Sequence, residues 1–91
     1  MSAFARTVLI TNKRGLHARA SAKFVTTASG AGARVEVEKD GSKVVGTSIM
    51  GLMMLGAAMG DEITIRANGK GAAAAVRSLA ELVEAKFHEA E

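Results

Sequence analysis

Several stretches of the chain alternate apolar and polar residues, the pattern of β-strands with one buried face. Residues 4–11 are rich in β-branched side chains and place Val8 and Ile10 on one face. The segment ARVEVEKDGSKVVG alternates valine with glutamate around Asp40-Gly41, a pair that favours a tight turn because glycine accepts positive φ. It predicts a hairpin of two antiparallel strands. The segment DEITIRA predicts a fourth strand.

Three further segments predict helices. Residues 18–29 place Ala18, Ala22 and Val25 on one stripe, and SGAG supplies the glycine that commonly ends a helix. The segment TSIMGLMMLG begins with Ser48, a favourable N-cap, and predicts a short helix. Residues 71–90 predict a long helix whose apolar stripe comprises Val76, Leu79, Val83 and Phe87.

The resulting order, β α β β α β α, favours an α+β open-faced β-sandwich: a four-stranded antiparallel sheet with three helices packed on one face. At 91 residues, we expect one domain spanning residues 1–91. Its predicted core consists of the apolar residues on the buried faces: Val8, Ile10, Val25, Val35, Val37, Ile63, Ile65, Val76, Leu79 and Val83.

Composition narrows the possible chemistry. Twelve Lys and Arg against nine Asp and Glu give a formal net charge of +3, which suits phosphate or acidic partners. The chain has no cysteine, which excludes disulfides and cysteine-ligated zinc and fits a reducing compartment. The first residues lack the pattern of a signal peptide, and no stretch has the roughly 20 apolar residues of a membrane span. We therefore expect a cytoplasmic protein without membrane insertion.

The segment NKRGLHARASAKF places His17 at the predicted start of the first helix. A neutral imidazole keeps a nucleophilic nitrogen that accepts a phosphoryl group. The unpaired N–H groups and positive dipole of a helix N-terminus stabilise the anion that results. Gly15 allows a tight turn before the histidine, and Arg19 follows two residues after it. By itself, the pattern also fits a histidine that only caps a helix or fills a gap.

The other histidine, His88, is predicted at the C-terminus of the last helix, where a solvated imidazolium is favourable.

Residues 49–55 are apolar on every side of a two-turn helix, so only part of this surface can face the sheet. The rest is expected to form an exposed apolar patch, and methionines suit a surface that fits several partners. Complete burial beneath loops is the alternative.

The sequence gives little support to a nucleotide, metal or nucleic-acid site. The glycine-rich segments lack the spacing of nucleotide-binding loops, and the two histidines have no metal-ligand spacing, so we expect neither metal nor cofactor. Nucleic-acid binding is disfavoured because the chain has three Phe and neither Tyr nor Trp for base stacking. A small regulatory domain that binds an anion without covalent chemistry remains an alternative.

Two motifs together resemble the HPr family of histidine-containing phosphocarriers of the bacterial phosphotransferase system: GLHAR, and TSIMGLMMLGAAMGDEITI around a serine. The resemblance covers nearly the whole chain and implies the fold above. It implies a carrier rather than an enzyme: His17 would take phosphate on Nδ1 from Enzyme I, charged by phosphoenolpyruvate, and pass it to Enzyme IIA domains. Arg19 would stabilise the phosphate. We expect a monomer.

The same resemblance assigns two further surfaces. Ile49, Met50 and Met53 match positions that dock Enzyme I and Enzyme IIA, beside the basic pair Arg19 and Lys23. Ser48 matches a regulatory phosphorylation site, which an HPr kinase/phosphorylase would modify in cells that have one.

The chain departs from the family at Ala20, where proline usually follows the arginine. A proline would preset φ at the helix start, so its absence bears on rigidity rather than chemistry. The segment TNKRGLHAR looks more like the nitrogen-regulatory paralogue, NPr, and SIMGLMMLG more like carriers regulated at serine. The sequence is compatible with a role in sugar uptake, in nitrogen regulation or in both.

Overall fold

The computed structural model describes residues 3–90. Its sheet contains β1 (Ala3–Leu9), β2 (Arg34–Lys39), β3 (Ser42–Val45) and β4 (Glu62–Asn68) in the order β1-β4-β2-β3. All three neighbouring pairs are antiparallel. The predicted domain range, 1–91, includes Met1, Ser2 and Glu91, which lie outside the described residues.

Three helices cover one face of this sheet: α1 (Ala18–Gly30), α2 (Ile49–Met54) and α3 (Ala72–Glu84). Helix α3 packs across β1 and β4, while α1 packs against both other helices. The predicted open-faced α+β sandwich is therefore confirmed. None of the helices within residues 3–90 has the length and hydropathy needed to cross a membrane.

The predicted core is confirmed except at Val25, which is only partly buried at its edge. The predicted hairpin also forms, because Asp40 and Gly41 both adopt positive φ, 50° and 85°, between the paired residues Lys39 and Ser42.

The predicted apolar stripe of α1 is wrong. Ala18 is exposed, and Ala22 is only half-buried. The buried stripe instead runs through Ala20, Phe24 and Ala28, which are spaced four residues apart. Phe24 is fully buried and has the largest apolar side chain of the helix. Its burial sets the rotation of α1, and the small alanines one turn to either side allow close packing.

The last helix ends well before residue 90, contrary to prediction. Helix α3 stops at Glu84, and Lys86–His88 form a tight turn in which all three residues have positive φ, between 56° and 57°. This left-handed backbone cannot continue a right-handed helix. Phe87 is nevertheless fully buried, as predicted, because the turn folds its ring back onto the core.

Candidate functional site

A glycine turn fixes the backbone just before the candidate acceptor. Gly15 has φ +63°, and a Cβ atom built on it would lie 2.3 Å from the carbonyl oxygen of Ala57. The next N–H, from the buried residue Leu16, donates to that same oxygen at 2.9 Å. Only glycine leaves room for this contact, so the turn fixes the direction in which the backbone enters residue 17.

His17 is the N-cap of α1, as predicted, with extended backbone at φ −73° and ψ 179°. The first backbone bond of the helix runs from the N–H of Ser21 to the carbonyl of His17 at 2.9 Å. The N–H groups of Ala18, Arg19 and Ala20 precede that bond and have no intrahelical acceptor. Together with the helix dipole, they create positive potential beside the imidazole.

A carboxylate that the sequence did not reveal contacts the imidazole. His17 Nε2 forms a hydrogen bond with Glu89 Oε2, and the two side chains are only 15% and 12% exposed. Asn12 is fully buried and holds the same carboxylate, since its Nδ2 donates to Glu89 Oε1 at 3.1 Å. That Nδ2 also donates to the carbonyl of Gly15 at 2.8 Å. Asn12 thus connects the glycine turn with the carboxylate.

The pKa of Glu89 reflects these contacts. Burial by itself raises the pKa of the Glu89 carboxyl, but hydrogen bonds from His17 and Asn12 and the charges of His17 and Lys23 outweigh burial. The net result is a pKa below the ordinary value of 4.5. Glu89 is therefore ionised at neutral pH and accepts hydrogen bonds with both oxygens.

A cleft of about 330 Å³ opens beside this pair. It brings together both histidines and four basic side chains, and its lining comprises Lys13, Arg14, His17, Arg19, Lys23, His88, Glu89 and Ala90. Arg19 and Lys23 line the same cleft as His17. The positive charge of the cleft exceeds that of the single carboxylate of Glu89, so the cleft fits a larger anionic group.

Two of the cleft residues differ from expectation. His88 is exposed but lies in the left-handed turn rather than at a helix C-terminus, so it faces the same cleft as His17. Lys23 Nζ donates to the backbone carbonyl of Phe87 at 2.6 Å, which ties α1 to that turn.

No group of three or more His, Cys, Asp or Glu side chains within residues 3–90 is arranged to hold a metal ion.

Helix α2 presents the predicted apolar patch. Leu52 and Leu55 are buried, while four neighbours remain exposed: Ile49, Met50, Met53 and Met54. The prediction that this helix cannot bury all its apolar residues is therefore confirmed. Ser48 caps the helix as predicted, because its Oγ accepts a hydrogen bond from the N–H of Gly51 at 2.9 Å.

Comparisons with known proteins agree with this arrangement. Residues 4–85 match the family model described as "PTS HPr component phosphorylation site". A phosphocarrier protein HPr of Neisseria meningitidis is 49% identical over 86 residues, covering 94% of this chain and 97% of that protein. A phosphocarrier protein NPr of Shewanella violacea is 41% identical over 90 residues, covering 99% of each.

Solved structures show the same fold. A crystal structure of HPr from Thermoanaerobacter tengcongensis superposes with a TM-score of 0.92 at 43% identity, covering 97% of this chain and 99% of the other. A crystal structure of a phosphocarrier protein HPr from Bacillus anthracis gives a TM-score of 0.87 at 38% identity, with 91% and 99% covered. The motifs, the fold and these matches agree, and the chain belongs to the HPr family of phosphocarrier proteins of the phosphotransferase system.

Proposed function

We propose that His17 is the phosphoryl acceptor of this carrier and that the group is held on Nδ1. The observation that carries this proposal is the position of His17 at the N-terminus of α1, inside a cleft with four basic side chains. The contact of Nε2 with Glu89 supports the choice of nitrogen, because it leaves Nδ1 as the ring atom available to a phosphoryl donor.

The transfer conserves atoms and electrons. The Nδ1 lone pair of His17 forms the new N–P bond as the N–P bond to a phosphohistidine of Enzyme I breaks, and the donor histidine leaves. The reverse exchange delivers the group to an Enzyme IIA domain. The N–H groups at the start of α1 and the guanidinium of Arg19 stabilise the phosphate charge.

Partners would meet two adjacent surfaces. The exposed residues Ile49, Met50 and Met53 supply apolar contact area, and Arg19 and Lys23 supply positive charge. Such a small apolar area ringed by charge suits brief association with successive partners. We place the carrier in the cytoplasm. We also propose that it is a monomeric single domain, since both surfaces must remain open to partners. Enzyme I and Enzyme IIA of the sugar or nitrogen branch would be its partners.

Ser48 is the proposed regulatory site, modified by an HPr kinase/phosphorylase where one exists. Its hydroxyl already lies at a helix N-terminus, which tolerates negative charge. It directly precedes Ile49 and Met50, so a phosphate there would place charge against a surface that must lose water on binding.

The decisive experiment is intact mass spectrometry after incubation with Enzyme I from the same cell and phosphoenolpyruvate. The wild-type chain should gain one acid-labile phosphoryl group, and His17→Ala should gain none. His88→Ala removes the other imidazole of the chain and should still gain it. Phosphorylation of His17→Ala would contradict the site assignment, and an unmodified wild-type chain would contradict phosphoryl carriage itself.

The non-covalent anion-binding alternative predicts no mass change, so the same experiment separates it from the proposal. Nucleic-acid binding has no supporting feature in the cleft, because its lining contains no Phe, Tyr or Trp among the described residues.

A further inference from the structure

The turn after α3 has an energetically unfavourable backbone. Lys86, Phe87 and His88 are consecutive non-glycine residues in the left-handed region, a conformation that single residues adopt only occasionally. The buried ring of Phe87 and the hydrogen bond from Lys23 Nζ to the Phe87 carbonyl help to hold the turn in place. Backbone strain maintained by its surroundings is concentrated at functional sites.

The consequence of this turn is the position of the next residue. Glu89 directly follows the turn, and its Oε2 contacts His17 Nε2. Its Oε1 accepts a hydrogen bond from the buried amide of Asn12. Both carboxylate oxygens are therefore engaged, by residues on opposite sides of the glycine turn. A freely moving carboxylate would instead be attracted to the basic side chains of the cleft and would compete with phosphate.

We propose that Glu89 is a positioning residue for phosphoryl transfer, delivered to His17 by the left-handed turn at Lys86–His88. The carboxylate accepts a hydrogen bond from Nε2–H. This contact holds the hydrogen on Nε2, fixes the plane of the ring and keeps the lone pair of Nδ1 free for phosphorus. The inference rests on the proposed role of His17.

The carboxylate also has a role after transfer. When Nδ1 forms its bond to phosphorus and the hydrogen stays on Nε2, the ring acquires a positive charge. The Glu89 carboxylate stabilises that charge at the edge of the ring opposite the phosphate. No proton has to leave or enter during the exchange. A carboxylate that orients an imidazole and stabilises its cationic form is an established device in catalysis by histidine.

The direct test observes the ring of the unphosphorylated protein. Two-bond ¹H–¹⁵N correlation spectra of the neutral ring distinguish a hydrogen on Nε2 from one on Nδ1. Wild-type His17 should show only the Nε2–H form. Glu89→Ala should show a measurable Nδ1–H population. Glu81→Gln removes the same charge from an exposed position of α3 and should match wild type.

The second test measures initial rates of phosphate acceptance from phosphorylated Enzyme I. Glu89→Ala should be about three- to tenfold slower, the range of one net hydrogen bond, whereas Glu81→Gln should keep the wild-type rate. Thermal melts followed by circular dichroism establish that each variant is folded. If Glu89→Ala melts early, Glu89→Gln replaces it, because it keeps the side-chain volume and removes the charge.

The outcomes separate the two proposals. The positioning role is overturned, with His17 still the acceptor, if the His17 ring shows the same tautomer populations in wild type and in Glu89→Ala. It is also overturned if Glu89→Ala changes the tautomer but not the rate of phosphate acceptance. A slower variant with unchanged tautomers also overturns it. A wild-type chain that gains no phosphate overturns the proposed function, and the role of Glu89 in transfer falls with it.

Discussion

Gly15 and Ala57 are in such close contact that a Cβ atom at position 15 would lie 2.3 Å from the Ala57 carbonyl oxygen and 2.9 Å from the Cα of Ala58. Both neighbours are backbone atoms, so neither can move by a side-chain rotation. The glycine of the GLHAR motif is therefore needed for space as well as for its φ of +63°.

Gly15→Ala should destabilise the protein by about 3 kcal/mol or more, which combines left-handed strain of about 1–2 kcal/mol with overpacking. Urea unfolding measures the loss. Gly32→Ala is the matched control, because Gly32 also has positive φ, +75°, but its Cβ would meet no described atom within 4 Å. It should lose only the strain. Equal losses for the two variants would contradict a steric role for Ala57.

The sequence was sufficient to predict the sheet, its hairpin and the start of α1, since each depends on local chemistry. Valine alternation and Asp40-Gly41 specify the hairpin, and Ser48 marks the start of α2. The rotation of α1 was predicted wrongly because alanine spacing is a weak signal beside the single large residue Phe24, whose burial depends on the other layers.

The sequence also predicted His17 and Arg19 in one site but not Glu89. The segment FHEAE contains two glutamates, and nothing in its pattern marks Glu89 as different from any other exposed polar residue. Its contact with His17 spans 72 positions and requires α3 to stop at Glu84 and the backbone to reverse hand. The sequence lacks the usual marker, since glycine commonly occupies left-handed positions and this turn has none.

The lowered pKa of Glu89 gives a pH dependence. A carboxyl whose pKa is lower in the folded state stabilises the fold when ionised, fully so above its unfolded pKa, near 4.5. That contribution is lost as pH falls through the folded pKa. The difference in unfolding free energy between wild type and Glu89→Gln should therefore shrink as the pH is lowered from above the unfolded pKa through the lower pKa of the folded state. Denaturant titrations across this range measure it.

A constant difference across that range would contradict the contacts of Glu89. A His17→Ala background supplies the control, because it removes one of the two hydrogen bonds and one of the two charges that lower the Glu89 pKa. In ¹³C spectra of the side-chain carboxyl, the pKa of Glu89 should rise in His17→Ala relative to wild type.

The left-handed turn predicts an unusual response to glycine. Because His88 has φ +57°, the His88→Gly variant should be more stable than His88→Ala by about 0.5–1 kcal/mol. Glycine relieves the left-handed strain, and the greater entropy of its unfolded chain offsets only part of that gain. Urea unfolding compares the two. At Arg77, an exposed position in the middle of α3, the sign should be opposite: glycine should be less stable than alanine by about 1 kcal/mol, the ordinary effect of glycine in a helix interior.

The exposed patch on α2 predicts separate effects on binding and stability. Met50 is 70% exposed, so Met50→Glu should change the free energy of unfolding by no more than about 0.5 kcal/mol. Phosphate acceptance and donation should both slow, by about tenfold or more, because the charge must lose water on docking.

Phe4→Glu supplies the control for that variant. Phe4 is also an exposed apolar residue, 44% exposed, and lies at the start of β1, whereas the segment carrying His17 follows the other end of that strand. It should leave transfer by the folded protein unchanged. A large loss of stability in Met50→Glu with normal transfer by the folded fraction would instead place Met50 in the core.

Ser48 combines two roles that substitutions can separate. Its Oγ accepts the N–H of Gly51 at 2.9 Å, so Ser48→Ala should lose about 1 kcal/mol of stability and keep the wild-type rate of phosphate acceptance. Ser48→Asp retains a capping oxygen and should stay within about 0.5 kcal/mol of wild type. Denaturant unfolding and initial-rate assays with phosphorylated Enzyme I measure the two quantities on the same preparations.

The expected defect of Ser48→Asp lies in docking. Its carboxylate is placed next to the exposed residues Ile49 and Met50 and repels an acidic partner attracted to the basic cleft. Phosphate acceptance should therefore slow by about tenfold, and raising the salt concentration should narrow the gap from wild type, because exposed charges are screened. A phosphoserine, with about −1.5 to −2 charges, should act more strongly. Equal rates for wild type and Ser48→Asp at low salt would leave Ser48 with only its capping role.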